Sequence, residues 1–498
     1  MLTNLIVLGI YFAILFGIGI VASKRVKNMD DYYVGGKKLG YWLVAFSARA
    51  TGESGWLLIG LTAMGALAGF SAYWVVIGEV IGVAISWFFM AKKFKSLTDK
   101  YDSITIPDFL ESHFKAKGHL LRVVAALCLS VFVIIYVSAQ IDITGKAFET
   151  FLGVNYYTGA IAGFLIVVAY IFVGGFVAVV WSDVFQGVLM FLGLLALPLV
   201  AYFAIDNSGD IYSGLEAIDP NLVSIWGAFD DPWMQAATMA GFAFIGLGFL
   251  GSPQVYVRFI SVKNTKEIDK GKWVAIVFTF LTDAAAVTIG VLARYLFTEV
   301  GQDPESVLGI AGEDSLMVLL KATFPVFIVA IYIAIILSAI MSTIDSLLVV
   351  ASSAITRDLY QKVFRPNVSD QKLNKLSSRI TLMMALIALA LAMIVAIMVP
   401  GRTVFWFTIF GWSGIAATFC PMMIYSLFWK AFNQRGALAC MLSGFMAVPF
   451  FKFYVQQLEG IGPYFEQLDV MGPAFAVSFV FGFLFTRFSP KTAPNSGY

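Results

Sequence analysis

The sequence predicts an all-helical polytopic membrane protein with its binding site at the middle of the membrane. Three observations support this prediction: the overall composition, a series of long apolar runs, and two breaks within those runs. Of the 498 residues, 60% are apolar or aromatic and 13% are charged, whereas soluble domains contain roughly 25% charged residues. The segments between the apolar runs are too short to form soluble domains.

Apolar runs of roughly 17 to 25 residues are long enough to cross the hydrocarbon core as helices, and about thirteen are present. The predicted spans, numbered 1 to 13 in chain order, are 4–22, 41–66, 72–91, 121–147, 157–178, 183–205, 233–258, 273–297, 323–350, 379–399, 403–428, 436–456 and 470–486.

Basic residues predict the orientation. Lys24, Arg25 and Lys27 directly follow span 1, which indicates an anchor rather than a cleaved signal peptide. With the amino terminus outside, the cytoplasmic segments contain 27 of the 33 Lys and Arg, as the positive-inside rule requires. An odd number of spans then places the carboxyl terminus in the cytoplasm, with the protein in the cell's inner (plasma) membrane. The tail 489–498 is expected to be disordered.

Several other function classes are disfavoured. Cys128, Cys420 and Cys440 lie in apolar spans without close spacing, so neither a disulfide framework nor a zinc site is indicated. His113 and His119 lie in a predicted cytoplasmic loop, and the spans contain no His-Glu-x-x-His or Gly-x-Ser-x-Gly motif, which argues against an enzyme. A net charge of +2 gives no reason to expect a nucleic-acid partner. A channel remains a rival, which concentrative uptake would exclude.

Span 2 contains a run of small and charged residues, Ser47 to Trp56, that interrupts its apolar sequence. In hydrocarbon, freed backbone groups are tolerated only where protein encloses them or where they line a cavity. A helix break at Thr51 to Gly55 therefore predicts a binding site.

Span 7 is interrupted at Gly246 to Pro253, five spans after the break in span 2. Interrupted helices at equivalent places in two halves are typical of inverted-repeat transporters with a site at the bilayer midplane. The predicted halves are 41–205 and 233–428, with 1–40 and 429–498 peripheral. Alternatively, the glycines only permit close helix packing.

Span 9 carries oxygen atoms on one helical face, from Ser338, Ser342, Asp345 and Ser346. Such oxygens could replace the water around Na⁺. Alternatively, the hydroxyls bond back to carbonyls of their own helix. The buried Asp favours the cation site, because an intramembrane carboxylate needs a cation, a proton or a basic partner.

Glu53 allows two interpretations. It follows Arg49 by four residues, so the two could pair along the helix. Alternatively, its carboxylate adds charge to a cation site or carries a proton. The spacing of Glu79, Asp142 and Asp283 identifies no further site.

Motifs along nearly the whole chain resemble the sodium/solute symporters, and most closely the bacterial sodium/proline symporters. The motifs are Asp30-Asp31-Tyr32 with Gly35-Gly36-Lys37, Ser54 to Leu58, Gly174-Gly175 with Trp181-Ser182-Asp183, Gly251 to Gln254 with Arg258-Phe259, Met341-Ser342-Thr343, Ser352 to Thr356 with Asp358-Leu359-Tyr360, and Trp412 to Pro421. The resemblance implies a LeuT-type five-plus-five inverted repeat of thirteen helices that couples inward Na⁺ movement to solute uptake.

The resemblance also implies site residues. The sodium ligands would be the carbonyls of Ala50, Glu53 and Ala339 with the hydroxyls of Ser342 and Thr343. Some relatives hold a second sodium, which here would lie between Asp183, Asp345 and Ser346. The substrate pocket would be lined by Ser54, Gly55, Trp56, Tyr136, Phe249 and Pro253, with Trp412 closing it and Gln140 reaching it from the helical face of Tyr136.

The chain departs from the proline symporters at several positions. Gly52 stands where they carry Asp, Ile245 and Phe249 stand where Trp and Tyr are usual, and Lys37 replaces an Arg. The prediction is a sodium-coupled importer of a small amino acid, most simply L-proline. The alternative is a sodium- or proton-coupled symporter for another small amino or organic acid. The sequence leaves the solute, the ion stoichiometry and the oligomeric state open.

Overall fold

A computed structural model describes residues 2–24, 29–116, 118–171, 175–204 and 210–489. Arg25, Lys27, Gly174 and the tail 490–498 lie outside the described residues, as do the side chains of Asp30 and Tyr32. The described chain is built of helices that pack around one large apolar core, with a small second cluster of Ala22, Val177 and Ala178.

Several helices of the predicted spans extend beyond the apolar runs, and several change helix type along their length. Their bounds are Leu2–Ser23 for span 1, Tyr41–Trp56, Leu57–Leu61 and Thr62–Ala68 for span 2, Tyr73–Ile85, Ser86–Met90 and Ala91–Lys100 for span 3, Leu120–Leu152 for span 4, Tyr156–Ile171 for span 5, Gly175–Ala204 for span 6, Pro232–Phe244, Ile245–Leu250 and Pro253–Ser261 for span 7, Thr265–Phe297 for span 8, Val326–Ser353 and Ala354–Phe364 for span 9, Asp370–Met398 for span 10, Val404–Phe428 for span 11, Gln434–Phe453 for span 12, and Met471–Arg487 for span 13.

The count of thirteen spans is not confirmed by helix length and hydropathy alone. Within the described residues these criteria select 10 helices, or 11 when the pair Gly462–Leu468 and Met471–Arg487, bent by 92°, counts as one span. The criteria treat Tyr41–Lys100 as one run, although it holds two predicted spans, and they classify Tyr156–Ala169 as a shorter apolar helix.

Polar caps fix where several spans begin. The Asn264 side chain accepts hydrogen bonds from the amides of Lys266 and Glu267 at 3.0 and 3.2 Å, and span 8 starts there. Asn433 caps span 12 in the same way. These side chains satisfy amides that have no partner within a helix. The spans therefore begin at residues that the local sequence specifies.

The two broken spans lie inside the bundle. Span 2 packs against spans 6, 8 and 9, and the middle segment of span 7 packs against spans 3 and 11. A Cβ atom on Gly246 would lie 1.9 Å from the carbonyl oxygen of Gly78, so the backbones of spans 7 and 3 are in direct contact. Close packing thus accounts for Gly246, as the alternative interpretation of the span 7 glycines expected.

A short helix, Ile106–Phe114, lies between spans 3 and 4 and buries His113. The imidazole is 5% exposed and stacks on Phe109 with 5.3 Å between ring centroids. Burial lowers the pKa of His113 to about 4, because the charged form loses hydration.

This pKa predicts a pH effect on stability. Since the unfolded chain takes up the proton near pH 6.5 and the folded chain near pH 4, stability is complete above about pH 6.5 and falls between these values. The loss should reach about 3 kcal/mol. Thermal unfolding of purified His113→Gln should show a smaller fall between neutral pH and about pH 5 than the parent protein. Parallel pH profiles for the two proteins would contradict this prediction.

Candidate functional site

Span 2 breaks at Ser54, whose backbone angles are φ 53° and ψ −177°. This conformation is rare for a residue with a Cβ atom and is characteristic of functional sites. The Gly55 amide donates a hydrogen bond to the Gln140 side-chain oxygen at 3.0 Å, and the Trp56 amide donates to the Ser54 hydroxyl at 3.3 Å. Gln140, predicted to reach the substrate, thus satisfies an amide that the break frees.

Span 7 breaks at Gly251 and Ser252, between a 3₁₀ segment and the helix that Pro253 begins. The freed carbonyls have side-chain partners. Ser252 donates to the Gly248 carbonyl at 2.5 Å, and Trp412 Nε1 donates to the Ile245 carbonyl at 3.0 Å. The sequence therefore located both breaks, and span 11 holds the second one in place.

The predicted sodium ligands of spans 2 and 9 lie together. Ser342 Oγ donates to the Ala50 carbonyl at 3.0 Å and to the Ala339 carbonyl at 3.1 Å. Thr343 Oγ1 donates to the Thr51 carbonyl at 3.2 Å and to the Ala339 carbonyl at 3.1 Å. Each hydroxyl therefore bonds back to its own helix, as the alternative interpretation expected, and each also contacts a carbonyl of span 2.

This donor set fits a monovalent metal ion. The two hydroxyls and the carbonyls of Ala50, Thr51 and Ala339 are uncharged oxygens, and transporters use such unwound carbonyls to coordinate Na⁺. The hydroxyls contact the carbonyls of Ala50 and Thr51 rather than that of Glu53. The Glu53 carbonyl is therefore the one predicted ligand outside this group of hydrogen bonds.

Two of the three residues predicted for a second cation, Asp183 and Ser346, bond to the guanidinium of Arg258. Arg258 Nη2 donates to Asp183 Oδ2 at 3.0 Å and also bonds to Ser346 Oγ. Ser346 Oγ lies 3.4 Å from Asp345 Oδ1. All four side chains are buried. The Arg258-Phe259 motif identified this arginine, but its spacing gave no indication of its partners.

Aromatic side chains predicted for the substrate pocket form one buried group. The Trp412 ring lies 5.1 Å from the Phe249 ring and 6.2 Å from the Tyr136 ring, measured between centroids. Trp56 packs edge-on against Phe405 of span 11, at 6.0 Å. Tyr136, Phe249 and Trp412 therefore lie together, whereas the Trp56 ring contacts a different part of span 11.

Arg49 joins three carboxylates from three spans. It forms an ion pair with Glu53, and its Nη2 lies 3.5 Å from Glu79 Oε2 of span 3. Oxygens of Glu53, Glu79 and Asp283 of span 8 all lie within 4.8 Å of one another. The pairing of Arg49 with Glu53 matches one of the two interpretations of Glu53. The sequence did not predict that Glu79 and Asp283 lie beside Arg49, although a carboxylate inside a span implies a partner.

This group, Arg49 with Glu53, Glu79 and Asp283, is called the Arg49 cluster below, and it explains Gly52. A Cβ atom at residue 52 would lie 2.9 Å from Phe249 Cε1 and 3.6 Å from Arg49 Nη1. Arg49 Cζ itself lies 4.5 Å from the centroid of the Phe249 ring. An Asp at position 52 would therefore require the Phe249 ring to move.

Ion pairs lie at both predicted ends of the bundle. At the predicted external end, Lys146 pairs with Glu313 at 2.6 Å, and Arg402 pairs with Asp142. At the predicted cytoplasmic end, Asp108 pairs with Arg122 at 2.8 Å and with Arg357 at 3.3 Å. Burial acts to raise the pKa of Asp108, but Arg357 and Arg122 hold it below its ordinary value.

Residues 32–444 match the sodium:solute symporter family. The chain belongs to this family. It is 35% identical to the high-affinity proline transporter PutP of Bacillus subtilis, over 86% of this chain and 87% of the relative. It is 31% identical to the sodium/proline symporter of Escherichia coli, over 87% and 85% of the two chains. Membership in this family of transporters agrees with the prediction that the chain is not an enzyme.

Solved structures identify the fold. A Na⁺-coupled sialic acid symporter, solved substrate-bound and outward-open, superposes with a TM-score of 0.79 at 20% identity, covering 99% of this chain and 98% of that one. MhsT in complex with L-phenylalanine superposes with a TM-score of 0.53 at 14% identity, covering 90% and 98%. The predicted all-α, LeuT-type membrane fold is confirmed.

Proposed function

We propose that this family member is a sodium-coupled symporter that imports a small amino acid, most simply L-proline, by alternating access. The observation that carries the proposal is the contact of Ser342 and Thr343 with the carbonyls of the broken span 2. The names of the relatives in Bacillus subtilis and Escherichia coli support proline as the solute.

The geometry suggests how ion and solute are coupled. The proposed sodium ligands belong to two spans, and Ser54 and Gly55 follow the span 2 ligands by only a few residues. Sodium bound there would favour conformations in which spans 2 and 9 approach each other, and it would hold the span 2 break in the shape that binds solute. Differential affinity of this kind is what lets a ligand shift a conformational equilibrium.

The solute site proposed here lies between the two breaks. Freed amides and the positive end of a half-helix suit a carboxylate, and the aromatic rings suit a small apolar body or an ammonium group. The proposed lining residues are Ser54, Gly55, Trp56, Tyr136, Gln140, Phe249, Pro253 and Trp412.

A second candidate is a symporter for another small amino or organic acid, with sodium or protons as the coupling ion. Ile245 and Phe249 favour it, because both are buried and neither side chain can form the hydrogen bonds of Trp and Tyr. The same lining residues would serve both candidates. Only a transport assay with a panel of solutes distinguishes them.

We infer the arrangement in the membrane from the same residues. The repeats 41–205 and 233–428 would form the transport core, with 1–40 and 429–498 peripheral. Exposed apolar side chains of span 1, such as Leu2 and Ile10, support a position against lipid. The distribution of Lys and Arg supports an inner-membrane protein with an external amino terminus and a cytoplasmic carboxyl terminus.

The test is uptake into proteoliposomes of the purified protein. We expect an inward sodium gradient to drive accumulation of labelled L-proline above its external concentration, and choline in place of sodium to abolish it. A panel of alanine, serine, other small amino acids and organic acids, with and without a pH gradient, tests the second candidate. Accumulation that is equal in choline would contradict sodium coupling, and equilibration without accumulation would indicate a channel.

A further inference from the structure

The guanidinium of Arg258 lies where some relatives would hold a second sodium. Its Nη2 donates to Asp183 Oδ2 at 3.0 Å, to Thr51 Oγ1 at 2.7 Å and to Ser346 Oγ. Asp183 and Ser346 are two of the three residues predicted for that ion. Asp183 Oδ2 and Ser346 Oγ are therefore already bonded to a group that carries a permanent positive charge.

The other two nitrogens of the Arg258 side chain also donate hydrogen bonds. Arg258 Nε donates to Ser47 Oγ at 3.0 Å, and Nη1 donates to the Gln254 carbonyl at 2.6 Å. Ser47 in turn donates to Asp183 Oδ2 at 2.6 Å. Arg258 is 0% exposed, and its partners come from spans 2, 6, 7 and 9. A fully buried arginine with this many charge-assisted hydrogen bonds has little freedom to make room for an ion.

The residues that would bind a second sodium thus do not fit one. We propose that Arg258 acts as a built-in cation at this position, and that the transporter binds one sodium ion, at Ser342 and Thr343, for each solute. The inference rests on the sodium coupling proposed above. It goes further by naming the residue that sets the ion stoichiometry.

Two carboxylate oxygens near Arg258 could instead bind a second sodium ion. Among the described residues, Asp183 Oδ1 and Asp345 Oδ2 are buried and have no hydrogen-bond partner. If the inference were wrong, these carboxylate oxygens would be the place for a second ion beside Arg258.

The experiment counts sodium ions directly, with no solute present. Purified protein in detergent is titrated with radioactive sodium to saturation, and the bound ion is divided by the amount of folded protein from size-exclusion chromatography. We expect one ion per protein for the parent chain and for Arg258→Lys, which keeps a cation. Ser342→Ala should bind that ion roughly 10- to 100-fold more weakly.

Arg258→Gln tests the arginine itself, because it removes the charge and frees Asp183 and Ser346. We expect it to bind two ions. Two ions in the parent chain, or one ion in folded Arg258→Gln, would overturn the inference while leaving sodium coupling intact. No sodium binding in any protein would overturn both proposals. If Arg258→Gln does not fold, the parent chain still tests the stoichiometry: one bound ion supports the inference, and two bound ions overturn it.

Discussion

Replacing Ser342 by Ala or Thr343 by Val is expected to raise the sodium concentration for half-maximal uptake by roughly 10- to 100-fold. Each substitution removes one hydroxyl that contacts a backbone carbonyl of span 2. A polar contact to a charged group is worth about 1.5 to 3 kcal/mol, which corresponds to that range. The measurement is the sodium dependence of initial uptake rates in proteoliposomes, and the double variant should show no sodium-driven accumulation.

Two controls separate ion binding from damage to span 9. Thr343→Ser keeps the hydroxyl and should retain near-normal sodium dependence. Ser352→Ala removes a buried hydroxyl of the same helix that bonds to the Val349 carbonyl of its own span, so sodium dependence should be unchanged. If Ser342→Ala and Thr343→Val transport with the parent chain's sodium dependence, the proposed ion site is wrong.

Arg49→Met is expected to destabilise the protein by about 3 to 5 kcal/mol, because it leaves buried carboxylates without their basic partner. Glu53, Glu79 and Asp283 are each at most 2% exposed, so water cannot replace the guanidinium without opening the bundle. The expected result is a large drop in the yield of folded protein and in its thermal unfolding temperature in detergent. Arg49→Lys should lose much less, because it keeps the charge.

Neutralising Glu53 should partly restore the stability that Arg49→Met loses. Arg49→Met combined with Glu53→Gln is expected to be more stable than Arg49→Met alone, since fewer uncompensated charges remain. Arg294→Met is the matched control: Arg294 is a largely buried arginine of span 8 that forms no ion pair among the described residues. If Arg49→Met melts at the temperature of the parent chain, the Arg49 cluster does not stabilise the fold.

Glu53→Gln alone decides the remaining question about this carboxylate. A purely structural partner of Arg49 should change stability while leaving sodium affinity and the pH dependence of uptake as they are. A shift in either property would favour a role for Glu53 in the cation site or in proton transport. The two interpretations that the sequence left open are thus separable by one variant.

The fold could be predicted from the sequence to the level of its helices, its breaks and its family. The break at Ser54 lies within the predicted interruption of span 2, and Gly251 and Ser252 lie within that of span 7. Runs of apolar residues and their interruptions are local properties, so they are visible along the chain. The number of spans was harder to confirm, because spans 2 and 3 form one nearly continuous helical run.

Within the site, too, local features could be predicted from the sequence, whereas contacts between distant spans could not. Ser342 and Thr343 were identified from a local pattern and a family motif, and the structure places both against span 2. The partners of the buried charges were not predicted. Arg258 meets Asp183 across 75 positions of sequence, and Arg49 meets Glu79 and Asp283 on spans 3 and 8. A carboxylate within a span predicts that a cation, a proton or a basic side chain lies beside it, but its position in the sequence does not identify that partner.

By itself, the sequence determined that this protein crosses the membrane, where its helices break and which hydroxyls face the break, because composition and helical periodicity act over a few turns. Only the tertiary structure decided that an arginine already occupies the predicted second cation position, and that Gly52 is small because Phe249 and Arg49 lie against it. The physical reason is that charge pairing and steric fit depend on distances between spans, which the packing of the whole bundle sets.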